Sequence, residues 1–136
     1  MVQRLAPNVF VSSNDHETLL VWRSADGRWT DLEQDVVLAY EPGLGVANSA
    51  DSFRIGVALY LVVGHANGFV TIWSGTSSGA KFARIATVNL RSANPLNPWG
   101  LHNVRGVAWL CTSGSHGYVV TGSENGNLLA LETWGR

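Results

Sequence analysis

Apolar residues in this chain arrive in short runs, and one phrase recurs three times: an apolar run, a tight polar turn, then a second apolar run ending in Trp or a stand-in. The first copy is Val9-Phe10-Val11-Ser12-Ser13, the turn Asn14-Asp15-His16-Glu17, then Leu19-Leu20-Val21-Trp22. The second is Leu59-Tyr60-Leu61-Val62-Val63-Gly64, the turn His65-Ala66-Asn67-Gly68, then Phe69-Val70-Thr71-Ile72-Trp73. The third is Tyr118-Val119-Val120-Thr121-Gly122-Ser123, the turn Glu124-Asn125-Gly126, then Leu128-Leu129-Ala130-Leu131-Glu132. Each copy predicts a β-hairpin. Asn-Gly tolerates the positive φ of a tight turn, and both flanks are rich in β-branched and aromatic residues. The runs are nearly continuous rather than cleanly alternating, as in sheets covered on both faces. No long stretch places apolar residues at the 3.6-residue spacing of a helix.

From Trp22 to Trp73 and from Gly68 to Gly126 the repeat length is roughly 50 to 60 residues. Self-similarity at that period implies blades or solenoid units, none able to bury its apolar face alone. Residues 1–8 show no recognisable first strand, so the first unit is expected to start incomplete. Trp29 to Leu32 is expected as its outer strand, and Val36 to Tyr40 as the inner strand of the second unit. Glu41 to Phe53, rich in Gly, Ala, Ser and Asn, reads as an insertion loop. Phe82 to Leu90 is the next outer strand, and Arg91 to Asn103 a second long loop.

Val104-Arg105-Gly106-Val107-Ala108-Trp109, followed by Val119-Val120-Thr121-Gly122-Ser123-Glu124-Asn125-Gly126, resembles the inner strand, second strand and turn of a WD40 repeat. His102 stands where that family places the His of its Gly-His pair, with Leu101 in place of the Gly. Trp22-Arg23, Trp73-Ser74 and Leu131-Glu132 fall on the terminal Trp-Asp, although none is literally Trp-Asp. The resemblance implies an all-β chain: a WD40-like β-propeller fragment of about three four-stranded antiparallel blades, near 8–33, 35–90 and 103–134, in a ring that one chain does not close. Trp22, Trp73, Trp109 and Leu131 would then be structural blade positions. The family's His–Ser/Thr–Asp–Trp network is incomplete: the third blade lacks the indole at Leu131, and the second has no His at the family's place. Stability is therefore expected to come from packing more than from such networks.

Composition bears on the uncovered ends of an open arc. Charged residues are 14% of the 136-residue chain, against about 25% in ordinary soluble domains. That implies surface meant for burial against further blades or another chain. A net charge of −1 and no basic patch argue against nucleic acid as a partner. No apolar run is long enough to span a membrane. One cysteine, Cys111, and no glycosylation sequon favour an intracellular compartment, cytoplasmic or nuclear.

Catalytic chemistry finds little purchase. His16, His65, His102 and His116 are scattered without metal-ligand spacing, so neither a metal nor a cofactor is expected. Cys111 lies in a strand-like stretch where a small buried thiol is the ordinary state. Gly75 to Lys81 resembles a phosphate loop only superficially, since it joins two strands and no Ser or Thr follows Lys81. Asp31, Glu33 and Asp35 read as a solvated strand edge.

Binding is the better reading. Trp99 sits between Pro98 and Gly100 in a proline-stiffened loop, a setting in which an aromatic side chain anchors an interface. In WD40 propellers the outer-to-inner loops share a face with the second-to-third-strand turns. That placement gathers Asn97, Trp99 and His102 with His65, Asn67, Glu124 and Asn125 as partner-binding candidates, and puts Glu41 to Phe53 on the opposite face. The function expected is a non-enzymatic scaffold that binds other protein subunits. The alternatives are a homo-oligomer of half-rings, or a propeller lectin or small-ligand binder using Trp99.

Overall fold

The computed structural model describes residues 1–14, 16–25, 27–28, 32–76, 81–90, 103–113, 116–123 and 128–134. Its eleven strands form three antiparallel meanders, so the chain is all-β. The first sheet is β1 (Val2–Ala6), β2 (Val9–Ser13), β3 (Thr18–Ser24) and β4 (Leu32–Ala39) in sequence order. The second is β5 (Ala47–Ile55), β6 (Ala58–His65), β7 (Phe69–Thr76) and β8 (Ala83–Asn89). In the third, β10 (His116–Ser123) lies between β9 (Val104–Ser113) and β11 (Leu128–Trp134). The β5–β6 turn is the tight two-residue kind, with Gly56 at φ +60° followed by Val57, the arrangement that matches strand twist.

The sheets lie side by side, β1 against β5 and both β5 and β6 against β9. Two apolar layers fill the gaps. Leu5, Val9, Val11, Leu19, Val21 and Leu38 of the first sheet meet Leu59, Leu61, Val63 and Trp73 of the second. On the far side of the second sheet, Phe53, Val62, Val70 and Ile72 meet Val104 and Val119 of the third. Alternate residues of β6 thus enter different layers, and both layers are buried. This is why its apolar run is unbroken: no position on a central strand of a doubly covered sheet faces water.

The sheet boundaries differ from the sequence expectation. Val2–Ala6 supplies the first sheet with its opening strand, so that sheet spans residues 2–39 rather than 8–33. Val36 to Ala39 belongs to β4, paired with β3, and does not open the second sheet. That sheet spans 47–89. Glu41 to Phe53 is no insertion: after a 3-10 turn at Pro42–Leu44, the chain enters β5 at Ala47. The connection lies beside the β6–β7 turn, with Ala66 N–H donating to the Val46 carbonyl at 2.9 Å and Asn67 N–H to that of Leu44 at 3.1 Å. It therefore occupies the same end of the molecule as that turn, not the opposite one.

Polar residues disguised β5 because the first strands face one another. Ser52 Oγ donates to the Arg4 carbonyl at 2.8 Å and receives Gln3 Nε2 at 3.3 Å. Ser49 Oγ donates to the Val104 carbonyl at 3.0 Å, and an Asp51 carboxylate oxygen accepts the Trp109 N–H at 2.8 Å. Asn48 bonds Asn103 across the same junction. Buried polar groups are tolerated where each finds a partner, so a strand in this position carries Asn, Ser and Asp without being a loop.

Candidate interaction surfaces

The end of the molecule that holds the β6–β7 turn is built around a buried hydrogen-bond chain. Trp73 Nε1–H donates to Thr71 Oγ1 at 2.9 Å. Thr71 Oγ1 lies 2.8 Å from His65 Nε2, and His65 Nδ1 lies 3.1 Å from the Gly45 carbonyl. A carbonyl only accepts, so Nδ1 carries the imidazole proton and Nε2 accepts the hydroxyl proton of Thr71. Every donor in the series meets an acceptor. His65 is 0% exposed, and burial is the main force pushing its pKa down from 6.5 to about 4, which keeps it in this neutral tautomer. The Tyr40 ring stands edge-on to His65 at 4.7 Å. Burial also pushes the Tyr40 hydroxyl above its ordinary pKa, so that it stays a neutral phenol.

The same end is clasped from outside. The Arg84 guanidinium forms a bidentate pair with the Glu41 carboxylate and lies over the Trp73 ring, 5.7 Å from its centroid. The guanidinium hydrogen bonds hold the Glu41 carboxyl at about 2, well below its ordinary 4.5, and raise the pKa of Arg84. An open cleft of about 240 Å³ lies beside this pair, lined by Ala39, Tyr40, Glu41 and Arg84. A second open cleft of about 390 Å³, lined by Arg4, Leu5, Ala6, Pro7 and Arg54, opens beside β1. Arg4 there donates to the Ala6 and Pro7 carbonyls.

Among the residues expected to bind a partner, His65 belongs to the buried network and presents neither ring nitrogen to solvent. Asn67 is exposed, but its Nδ2 donates to the Gly43 carbonyl at 2.9 Å, so it pins the turn to the connection before β5. Asn97, Trp99, His102, Glu124 and Asn125 lie outside the described residues. Of the expected structural positions, Trp73 is buried, Trp22 and Trp109 are half-buried, and Leu131 stands opposite Val119 in the β10–β11 ladder. Trp109 stacks on Phe53 across the sheet junction at 4.1 Å.

Thr71, Gly45 and Asp51 drew no attention in the sequence, although each holds one of these bonds. The available signal was parity. Thr71 and Trp73 share a face at a two-residue interval, and Thr71 pairs with Val63, two places before His65.

Two broad apolar surfaces remain, one at each end of the row of sheets. On the first sheet's face turned away from the second, the rows Val2–Ser12–Leu20–Val37 and Arg4–Phe10–Trp22–Gln34 follow from the strand register. Phe10 and Trp22 stack at 6.3 Å, with Trp22 Nε1 donating to Ser12 Oγ at 2.9 Å. On the third sheet's face turned away from the second, the register gives Leu110–Tyr118–Glu132, Ala108–Val120–Ala130 and Gly106–Gly122–Leu128. Val2, Val37, Leu110 and Leu128 are all exposed. Single exposed apolar residues are ordinary, whereas contiguous apolar faces mark interaction sites.

No three His, Cys, Asp or Glu residues gather as a metal set among the described residues, and no helix there is long and apolar enough to cross a membrane. No protein-family model matches the chain, and no curated protein matches it.

Proposed function

We propose that this chain is a non-catalytic, WD40-like interaction scaffold that works within a larger protein assembly. The observation that carries this reading is the pair of uncovered apolar faces at the two ends of the row of sheets. A sheet face of Val, Leu, Phe and Trp left in water forgoes about 25 cal/mol for each Å² of apolar surface it does not bury, so a protein partner is the natural cover. The three hairpins, the adjacent opening strands and the Trp73–Thr71–His65 chain support the WD40-like part of the reading. Neither cleft combines a nucleophile, a base and an oxyanion donor in the way that acyl or phosphoryl transfer requires.

The test is affinity capture from extracts of the native cell, comparing the wild-type chain with Leu128→Glu and Val37→Glu. Wild type is expected to retain other proteins in fixed proportion, with at least one variant losing them while its circular dichroism is unchanged. Retention that is identical in all three chains would remove these faces as the binding surface.

A further inference from the structure

The two open faces are not merely both apolar; they are the two unmatched halves of a junction the molecule already contains twice. Strand register puts the sheets in correspondence. Phe10 opposite Trp22, Leu61 opposite Trp73 and Val119 opposite Leu131 occupy the same place in successive sheets. By the same count Leu19, Val70 and Leu128 correspond, as do Val11, Val62 and Val120, then Val21, Ile72 and Ala130. Ala6, Phe53 and Leu110 match on the opening strands.

Each sheet therefore has a forward face, carrying the Leu19, Val70 and Leu128 set, and a rear face, carrying the Trp22 and Trp73 set. The first sheet's forward face packs on the second's rear face, and the second's forward face packs on the third's rear face. Among the described residues, what stays open is the forward face of the third sheet and the rear face of the first.

Exposure tracks this correspondence. Leu19 and Val70 are 0% exposed, whereas Leu128 is 75% exposed. Phe53 is 7% exposed under the stacked Trp109, whereas Leu110 is 52% exposed. The residue types persist where the covering sheet does not. Charge adds direction: Arg4 stands in the rear-face row of Phe10 and Trp22, and Glu132 in the forward-face row of Leu110 and Tyr118. Rear against rear would oppose two Arg4 rows, and forward against forward two Glu132 rows. Forward against rear sets unlike charges on the two sides.

We infer that a second copy of this chain covers these faces head to tail, the forward face of one copy's third sheet seating on the rear face of the other's first sheet. Such a heterologous contact leaves the pair with one open face of each kind, a rear face on one copy and a forward face on the other. It closes as a ring where the rotation permits and otherwise propagates. The inference rests on the two faces being binding surfaces, and it names the occupant.

The experiment uses the purified full chain alone, with mass read by sedimentation equilibrium and folding by circular dichroism. Two variants each spoil one face at exposed edge positions: Val2→Glu/Val37→Glu on the rear face and Leu128→Glu/Ala130→Glu on the forward face. Wild type is expected to sediment as a multiple of its 14.6 kDa chain mass. Each variant alone should associate at least about a hundredfold more weakly, since a carboxylate would be driven into an apolar junction. Mixed one to one, the variants should recover a two-chain complex, because each retains the face the other lacks.

Wild type that remains monomeric at about 100 μM, far above the working range of a specific dimer, overturns the inference. So does a variant that associates alone as well as wild type, which signals a like-with-like contact. A mixture that stays monomeric overturns it as well. If a Glu variant fails to fold, Val37→Ser and Leu128→Ser pose the same question, with weaker association expected from each alone and recovery on mixing. A monomeric wild type that still retains another protein from extract removes this inference and leaves the scaffold reading standing.

Discussion

Thr71 donates its hydroxyl proton to His65 Nε2 across 2.8 Å while accepting the Trp73 indole N–H across 2.9 Å. One side chain thereby satisfies two buried partners that lie on opposite sides of the β6–β7 turn. Thr71→Val keeps the shape but strands both groups. With about 1–3 kcal/mol for each buried polar group left unpaired, a loss of roughly 2–4 kcal/mol is expected from urea unfolding. A loss under about 0.5 kcal/mol would mean that the chain of bonds is not maintained in solution.

His65 makes stability depend on pH. Its folded pKa is about 4 and its unfolded one about 6.5. Between those values the unfolded chain holds a proton that the folded chain refuses. Stability from this group is therefore complete above about pH 6.5, falls as pH drops toward 4, and changes no further below that. The total is of order 3 kcal/mol. Urea midpoints measured from pH 7.5 to 4 should drop more steeply for wild type than for His65→Gln. Parallel curves would place the imidazole in a solvated setting.

The Glu41–Arg84 pair acts in the same direction over a lower pH range. A carboxyl held down at about 2 by a guanidinium favours the folded state above its ordinary 4.5, and that contribution fades as pH falls toward 2. Carboxyl carbon NMR should place the Glu41 midpoint near 2 in wild type and close to the ordinary value in Arg84→Met. An unmoved midpoint in that variant would assign the depression to another group.

Gly117 leaves room for the Trp109 indole. A Cβ built there would meet Nε1 at 2.6 Å and Cε2 at 2.8 Å. The ring is also held by its stack on Phe53, so it has little freedom to retreat. Gly117→Ala is expected to cost about 1–3 kcal/mol through overpacking. Gly106→Ala, where nothing lies within 4 Å, should stay within about 0.5 kcal/mol of wild type. Equal costs at the two sites would contradict this placement of the indole.

Trp73 combines a buried ring, the hydrogen bond to Thr71 and the Arg84 guanidinium above it. Trp73→Ala should destabilise by about 3–5 kcal/mol. Trp73→Phe, which keeps much of the ring but drops the donor, should cost about 1–2 kcal/mol. A cost below about 1 kcal/mol for the alanine variant would take Trp73 out of the core.

Hairpin grammar made β2, β3, β6, β7 and β10 legible, because their apolar runs flank turn residues such as Asn67-Gly68. The opening strands of the first two sheets were not legible, whereas Val104–Trp109 of the third was. Val2–Ala6 is short, and β5 carries Asn48, Ser49, Asp51 and Ser52, which composition assigns to loops. Those residues are polar because their partners are the backbones and side chains of neighbouring opening strands, and a pattern within one strand does not reveal them. The His65 network was hidden for a related reason: its members meet only once β6 and β7 pair. The open faces were hidden differently. Leu20, Trp22 and Val37 have the periodicity of core residues, and alternation shows which residues share a face without showing whether anything lies against it.

The junctions between opening strands are written mostly to main chain: Ser52 to the Arg4 carbonyl, Ser49 to the Val104 carbonyl, Asp51 to the Trp109 amide. Main-chain groups are the same whatever side chain they carry. A mutation in β1 or β9 that spares strand geometry thus leaves these bonds available, and the neighbouring sheets are free to diverge in sequence without losing their alignment. That tolerance makes β5 the strand where drift should be least permitted.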